Sequence, residues 1–173
     1  MQILIVKLSS IGDVIHTLPV LAAIKTALPN AEVSWIVEKG SAELLRNNEL
    51  LKNLIEIDTK SFRGKQKLSE MLPNARQQFR GIRSSTFDVA LDFQGLLKSA
   101  TIAKIAKVKK RYGFSKEILR EPASRFLLSE TVKIPNKIHV IRKNLTLAEK
   151  ALNIKVPLDN FEFPIFTDEF HKL

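Results

Sequence analysis

Polar residues that could take part in catalysis follow an apolar run at the start of the sequence. The run is Gln2–Lys7, and the polar loop after it contains Ser9, Ser10, Gly12 and Asp13. A helical pattern begins here, so Asp13 lies near a helix N-terminus, where the helix dipole and free backbone N–H groups stabilise a carboxylate. Asp13 could be a general base or could simply cap the helix, and capping is the commoner role. Gly12 is expected to supply the left-handed or closely approached backbone of a sharp strand-to-helix turn.

A second polar group follows another apolar run, residues 87–92. It consists of Asp92, Gln94 and Gly95, with Lys98 about one turn into the next helix. Ligands bind at the carboxyl ends of strands in open parallel sheets, so both groups lie where a site is expected. Asp92 and Gln94 suit ligand contact and loop fixation equally well. A lysine is unfavourable at a helix N-terminus, so Lys98 predicts a nearby anion or carboxylate.

Two histidines are candidate site residues. His16 lies three residues after Asp13, on the same helical face, although a hydrogen-bonded structural histidine is commoner there. His139 precedes Arg142 and Lys143, and a helix start explains it better than a site. Carboxylates and histidines with metal-ligand spacing are missing from the sequence, so no metal is predicted.

Apolar runs and amphipathic stretches alternate along the chain with short connections. Strands are predicted at 2–7, 32–37, 53–57, 87–92 and 111–114, and helices up to 28 and at about 41–47, 68–83, 96–106 and 138–152. This alternation predicts a parallel sheet with helices on both faces, which is a doubly wound, Rossmann-like domain. The apolar segment 161–166 resembles a strand, but Pro164 restricts it to an edge or a linker, and its position suggests a continuation of the chain.

The charge of the chain predicts an anionic partner. There are 28 Lys and Arg against 18 Asp and Glu, a net charge of +10. Residues 60–83 carry +6 and residues 98–125 carry +7, so these two segments hold the whole excess. A basic nucleic-acid-binding domain is therefore an alternative function, although one Trp and one Tyr give little base stacking.

A nucleotide-dependent enzyme of another class is a further alternative. Glu38 follows the second strand, where a ribose-binding acid would lie. The first loop has the single glycine Gly12, so it matches neither the G-x-G-x-x-G fingerprint nor a P-loop. Cysteine is absent, which excludes disulfides and thiolate chemistry. With no apolar run near ~20 residues and no signal-peptide pattern, we expect a cytoplasmic protein, peripheral to a membrane at most.

Residues 5–19, IVKLSSIGDVIHTLP, closely resemble the amino terminus of the heptosyltransferases of glycosyltransferase family 9, and their type I more than their type II. Three further blocks agree at similar spacing: DFQGLLKSA at 92–100, REP at 120–122, and His139 ahead of a basic pair. The resemblance implies a GT-B architecture, in which two Rossmann-like domains face a cleft. Residues 1–160 would be the acceptor-binding domain, and 161–173 the start of a linker to a donor domain absent from this sequence.

The same resemblance implies the reaction. Heptose would pass from ADP-heptose to Kdo of the lipopolysaccharide inner core with inversion, with Asp13 as the general base. The missing domain would bind most of the donor, and no metal or other cofactor is expected. The enzyme would be a monomer at the cytoplasmic face of the inner membrane, and this chain alone would be inactive.

The acceptor, Kdo-bearing lipid A, carries carboxylates and phosphates, for which Arg offers paired donors. The resemblance, together with the positions of the loops, implies that the following residues contact the substrate: Ser9, Ser10, Gly12, Lys60, Arg63, Gln94, Gly95, Lys98, Arg120, His139 and Lys143. The sequence departs from the family pattern at Lys60 and Ser61, where an Arg-rich run is expected, and at Lys143, where Arg is usual. A lysine keeps the charge but lacks the paired donors.

Overall fold

The structure, a computed structural model, describes residues 1–58, 86–135 and 137–166. Its strands are β1 (Gln2–Val6), β2 (Glu32–Glu38), β3 (Asn53–Ile57), β4 (Val89–Asp92), β5 (Lys110–Phe114) and β6 (Glu130–Val132). Its α-helices are α1 (Ile11–Ile15), α2 (Leu18–Ala27), α3 (Leu97–Ile105) and α4 (Val140–Leu152), and its 3-10 helices are Lys39–Leu45 and Pro122–Leu127.

The strands form one parallel sheet in the order β3-β2-β1-β4-β5-β6. The chain moves outward from β1 to β3 and then returns to the other side of β1 with β4. This reversal is the topological switch point, where the carboxyl ends of two neighbouring strands open a crevice. The predicted doubly wound, Rossmann-like sheet is confirmed, and the two polar groups of the sequence follow the two strands at the switch point.

Each face of the sheet has its own core because side chains alternate along a strand. Ile3 and Ile5 of β1 pack with α2 and α4, whereas Leu4 and Val6 pack with α3. All four are fully buried, and burial of such a side chain stabilises the fold by about 1.5–3 kcal/mol. β1 is therefore fixed from both faces, as is typical of a central parallel strand, and so is the start of the loop that follows it.

The helix expected up to residue 28 is in fact two helices, α1 and α2. Pro19 is the second residue of α2 and has no backbone N–H, so it cannot continue a helical ladder from Ile15. The helix predicted at 41–47 is the 3-10 helix Lys39–Leu45. That predicted at 68–83 lies outside the described residues.

The segment 161–166 contains no strand, which corrects the strand-like interpretation of its composition. Pro164 has no N–H to give to a sheet, and its carbonyl accepts a hydrogen bond from the Asn48 side chain at 2.7 Å instead. Phe161 packs on the core beside α2 and α4. Among the helices that the structure describes, none is long and apolar enough to cross a membrane.

Candidate active site at the switch point

The loop between β1 and α1 is held between the ends of the two strands that flank β1. On one side the backbone N–H of Glu38 donates to the Leu8 carbonyl at 2.9 Å. On the other side the buried Gln94 accepts the N–H groups of Leu8 and Ser9 with Oε1, at 3.0 and 3.2 Å. Gln94 therefore fixes the loop, which is one of the two roles that the sequence left open for it.

Asp13 is the third residue of α1, after the N-cap Ser10. Its Oδ2 accepts the backbone N–H of Ser10 at 3.2 Å, so the expected capping role is confirmed. Two cations reach the same oxygen: Lys7 Nζ lies at 3.6 Å and an Arg120 guanidinium nitrogen at 3.4 Å. The carboxylate is 21% exposed, so it remains accessible from the crevice. Asp13 thus has more partners than a simple cap needs.

Lys7 is the site residue that the sequence interpretation missed. Its side chain is only 6% exposed, and its ammonium also donates to the Phe93 carbonyl at 3.2 Å. Burial lowers the pKa of Lys7, and Arg120 lowers it further, whereas Asp13 and Asp92 raise it. A lysine directly after a buried apolar strand was a signal in the sequence, because such a charge needs a partner.

Asp92 and Gly95 shape the turn after β4. The Asp92 carboxylate accepts the N–H groups of Gln94 and Gly95 at 2.9 and 3.2 Å, and the Ser99 hydroxyl at 2.9 Å. Burial raises the pKa of Asp92 to about 6, against the opposing effect of these hydrogen bonds. Asp92 is fully enclosed, so its contacts are those of a residue that fixes the loop.

Gly95 brings the segment containing Arg120 to the site. It has a φ of +68°, and an added Cβ would lie 3.2 Å from a methyl carbon of Leu119. Its carbonyl accepts the Glu121 N–H at 3.1 Å, and the Glu121 carboxylate accepts the Leu97 N–H at 2.6 Å. Arg120 is held between these contacts, and its side chain is 61% exposed.

Gly12 does not have the role expected from the sequence. It is the second residue of α1, its φ is not left-handed, and an added Cβ would meet nothing within 4 Å. The strand-to-helix turn is made instead by residues 7–10, which include a cis peptide bond between Ser9 and Ser10. The open space beside Gly12 adjoins Asp13 in α1.

Lys98 has the carboxylate partner that its position predicted. Its Nζ lies 3.3 Å from Oε1 of Glu38, whose side chain is 6% exposed. This pair joins the end of β2 to the start of α3 across the loop after β1. Glu38, which lies where a ribose-binding acid would lie, is therefore paired with a lysine.

His139 is the N-cap of α4, as the helix-start interpretation predicted, and its Nδ1 accepts the Ile141 N–H at 3.4 Å. Its ring packs edge-on against that of His16, with centroids 5.7 Å apart, and His16 follows directly after α1. Lys143 lies one turn into α4 and is half-buried. Its neighbour Arg142 donates to the Pro157 carbonyl at 2.6 Å.

The predicted site residues therefore divide into three groups. The structure brings together Ser9, Ser10, Gly12, Asp13, Gln94, Gly95 and Arg120 at the switch point. The second group lies around the switch point: Lys98 pairs with Glu38, His139 is the N-cap of α4, and Lys143 is in α4. Lys60 and Arg63 lie outside the described residues. Within the ranges described, no three His, Asp or Glu side chains are grouped as metal ligands would be.

A parallel sheet in this strand order defines a Rossmann-like domain, and the carboxylate and two cations at its switch point form a candidate ligand site. Comparison with known families matches residues 75–172 to glycosyltransferase family 9 (heptosyltransferase). This match covers more than half of the sequence, and the chain belongs to that family.

Curated relatives agree with this assignment. Lipopolysaccharide heptosyltransferase 1 of Escherichia coli K12 is 29% identical over 166 residues, which are 95% of this chain and 52% of that protein. The protein of the same name from Pseudomonas aeruginosa is 30% identical over 91% of this chain and 44% of its own length. The chain thus spans about half the length of the curated relatives it matches.

Solved structures show the same fold. E. coli heptosyltransferase WaaC with ADP-2-deoxy-2-fluoro heptose matches with a TM-score of 0.87 and 26% identity, over 94% of this chain and 52% of that one. E. coli ADP-heptose LPS heptosyltransferase II matches with a TM-score of 0.71 and 17% identity, over 99% of this chain and 48% of that one, and so shares the fold.

Proposed function

We propose that this chain is the acceptor-binding part of a heptosyltransferase that moves heptose from ADP-heptose to Kdo of the lipopolysaccharide inner core, with inversion. The observation that carries the proposal is the Asp13 carboxylate at the switch point, held by Ser10, Lys7 and Arg120 and still 21% exposed. Membership of the heptosyltransferase family supports the reaction class, and the names of the relatives support the acceptor.

Asp13 acts as the general base in this reaction. As the acceptor oxygen bonds to the anomeric carbon, its proton passes to the carboxylate, and the carbon–oxygen bond to the diphosphate breaks with its electron pair leaving on ADP. A single displacement of this kind inverts the anomeric centre. Helix N-termini and cations around the cleft stabilise the charge on the departing diphosphate, and no further cofactor is required.

The remaining predicted contacts surround this carboxylate. Ser9, Ser10 and Gly12 form the rim beside Asp13, and Arg120 is a largely exposed cation. The other proposed contacts to acceptor carboxylates and phosphates are Lys60, Arg63, Gln94, Gly95, Lys98, His139 and Lys143. Gln94 and Gly95 act mainly by shaping the loops, because their polar groups already bond to the protein.

The proposed enzyme has two domains. Residues 1–160 bind the acceptor, 161–173 begin a linker, and a donor domain beyond them binds ADP-heptose. The excess of basic residues in two segments fits an enzyme working as a monomer at the anionic cytoplasmic surface of the inner membrane, where a lipid acceptor is held.

Acceptor binding can be tested with the chain alone. Binding to Kdo-bearing lipid A in detergent micelles is measured over a range of salt concentrations, with plain lipid A and duplex DNA as competitors. We expect preference for the Kdo-bearing acceptor, weakened by Arg120→Ala and unaffected by the distant Lys25→Ala. Equal binding to all three anions would refute specific acceptor recognition and restore the nucleic-acid alternative.

Transfer can be tested after fusing this chain to the half of E. coli WaaC that it does not match. In this chimera Asp13→Asn is expected to lower the turnover number by about 10²–10⁴-fold, with little change in acceptor binding, because a general base contributes about that much. Asp88→Asn, at the opposite end of β4, is the matched control. An Asp13→Asn chimera with normal turnover would exclude Asp13 as the base.

A further inference from the structure

The ammonium of Lys7 is enclosed at the point where β1 delivers the chain to the site. Both ends of the residue are fixed, since its carbonyl accepts the Trp35 indole N–H at 3.1 Å and its Nζ donates to the Phe93 carbonyl at 3.2 Å. Trp35 is completely buried, and the Lys7 side chain is 6% exposed. A lysine held in this way loses hydration that an exposed lysine would keep, so the fold tolerates it because it meets acceptors and an opposite charge.

The opposite charge is Asp13, and its two oxygens are in different situations. Oδ2 receives the Ser10 N–H at 3.2 Å, the Arg120 guanidinium at 3.4 Å and the Lys7 ammonium at 3.6 Å. Among the residues that the structure describes, no such contact is made by Oδ1. Within the described residues the carboxylate is therefore anchored through Oδ2, while Oδ1 receives no hydrogen bond.

Of the two cations on Oδ2, Lys7 is the one that a ligand can displace less easily. Arg120 is 61% exposed, so an acceptor anion in the crevice competes with Asp13 for it. Lys7 is shielded from the crevice by its own burial and is tied to the end of β4 through Phe93. It can hold Asp13 in one orientation while Arg120 exchanges between Asp13 and the acceptor.

We propose that Lys7 is a positioning residue of the transfer reaction: its buried ammonium anchors Oδ2 of Asp13 and leaves Oδ1 to accept the proton of the acceptor hydroxyl. This inference rests on the proposed role of Asp13 as the base. The charged groups around the ammonium are Asp13 from α1, Asp92 from β4 and Arg120 from the segment after β5.

The first test needs no activity and no change to Lys7. The pKa of Lys7 is measured in this chain by NMR titration of ¹⁵N-labelled lysine. Asp13 raises that pKa and Arg120 lowers it, so Asp13→Asn is expected to lower it and Arg120→Gln to raise it. Asp88→Asn is the matched control and is expected to leave it unchanged. If the pKa of Lys7 is the same in Asp13→Asn as in the parent, the proposed coupling is wrong, whatever the enzyme's activity.

The second test measures turnover in the chimera with the other half of E. coli WaaC. Lys7→Met removes the ammonium with little change in volume, and Lys7→Gln keeps a donor for the Phe93 carbonyl without the charge. Both are expected to lower kcat by about ten- to a hundredfold, because small displacements of a catalytic group have effects of that size, while KM for the acceptor stays within about twofold.

The control for charge and for lost carbonyl contacts is Lys25→Met. The Lys25 ammonium donates to the carbonyls of Pro29 and Ala31 at 3.2 and 2.9 Å, far along α2 from the site. The kcat of the Lys25→Met chimera is expected to equal that of the parent chimera. A Lys7→Gln chimera with the parent kcat would overturn the inference and leave the proposed function standing. Normal turnover in Asp13→Asn would instead refute the proposed function, with the measured Lys7–Asp13 coupling unaffected.

Discussion

Replacing Asp92 by asparagine is expected to remove a pH-dependent loss of stability. Burial raises the pKa of this carboxyl from 3.8 to about 6 in the folded protein. Between these two pH values the folded chain keeps a proton that the unfolded chain has released. The stability that this proton contributes is therefore complete below pH 3.8 and is lost as the pH rises through 6.

The size of the effect follows from the pKa. Each unit corresponds to about 1.4 kcal/mol, so ionised Asp92 makes the free energy of unfolding about 3 kcal/mol smaller at pH 7 than its protonated form does. Asparagine keeps the shape, its carbonyl oxygen can accept the N–H groups of Gln94 and Gly95, and its amide can donate to Ser99. The free energy of unfolding of Asp92→Asn minus that of the parent is thus expected to be about 3 kcal/mol larger at pH 7 than at pH 3.5.

Urea unfolding at pH 3.5, 5 and 7 measures this difference. Trp35, the single tryptophan, is completely buried and gives the fluorescence signal. Asp88→Asn is the matched control, because Asp88 is an exposed aspartate just before the same strand. A stability difference between Asp92→Asn and the parent that stays constant over these pH values would refute the reasoning.

Three substitutions at the loops give further expected outcomes, each measured by urea unfolding. Gly95→Ala is expected to destabilise the chain by about 1–3 kcal/mol, because alanine is strained at φ +68° and its Cβ would press on Leu119. Gly12→Ala, in open space within α1, is expected to stabilise the chain by up to ~1 kcal/mol. Equal effects of the two alanines would contradict the conclusion that the backbone requires glycine at Gly95 and not at Gly12. Gln94→Leu leaves the N–H groups of Leu8 and Ser9 without their acceptor and is expected to destabilise by about 2 kcal/mol or more, and a neutral result would show that Gln94 does not hold the loop.

The fold could be predicted from the sequence because its central strands carry a strong hydrophobic signal. β3 has the predicted bounds, and β1, β2, β4 and β5 differ by one or two residues. β6 was missed because Glu130 and Thr131 are exposed and only Val132 of its three residues is buried. A strand this short and polar is stabilised by its pairing with β5, and such pairing cannot be predicted from the local sequence pattern.

The site was predictable where its residues follow a strand along the chain, as Asp13 and Gln94 do. It was not predictable where the contact crosses from one strand end to another. The position of Lys98 at a helix N-terminus predicted a nearby carboxylate but not which one, because its partner Glu38 is 60 residues away in the sequence. Lys7 looked like the last residue of a strand, although it is the lysine that contacts Asp13.

The charges at the switch point limit what this site can offer an anionic acceptor. The cations Lys7, Lys98 and Arg120 face the carboxylates Asp13, Asp92, Glu38 and Glu121. With each cation engaged by a carboxylate, the described part of the site has no positive excess, although the whole chain has a net charge of +10. We therefore expect that the catalytic carboxylate is positioned by one set of cations, and that most of the attraction for acceptor phosphates comes from another, the basic segment 60–83 with its +6. Such a division suits a general base, because the buried Lys7 keeps Asp13 in place when the exposed Arg120 turns to the substrate.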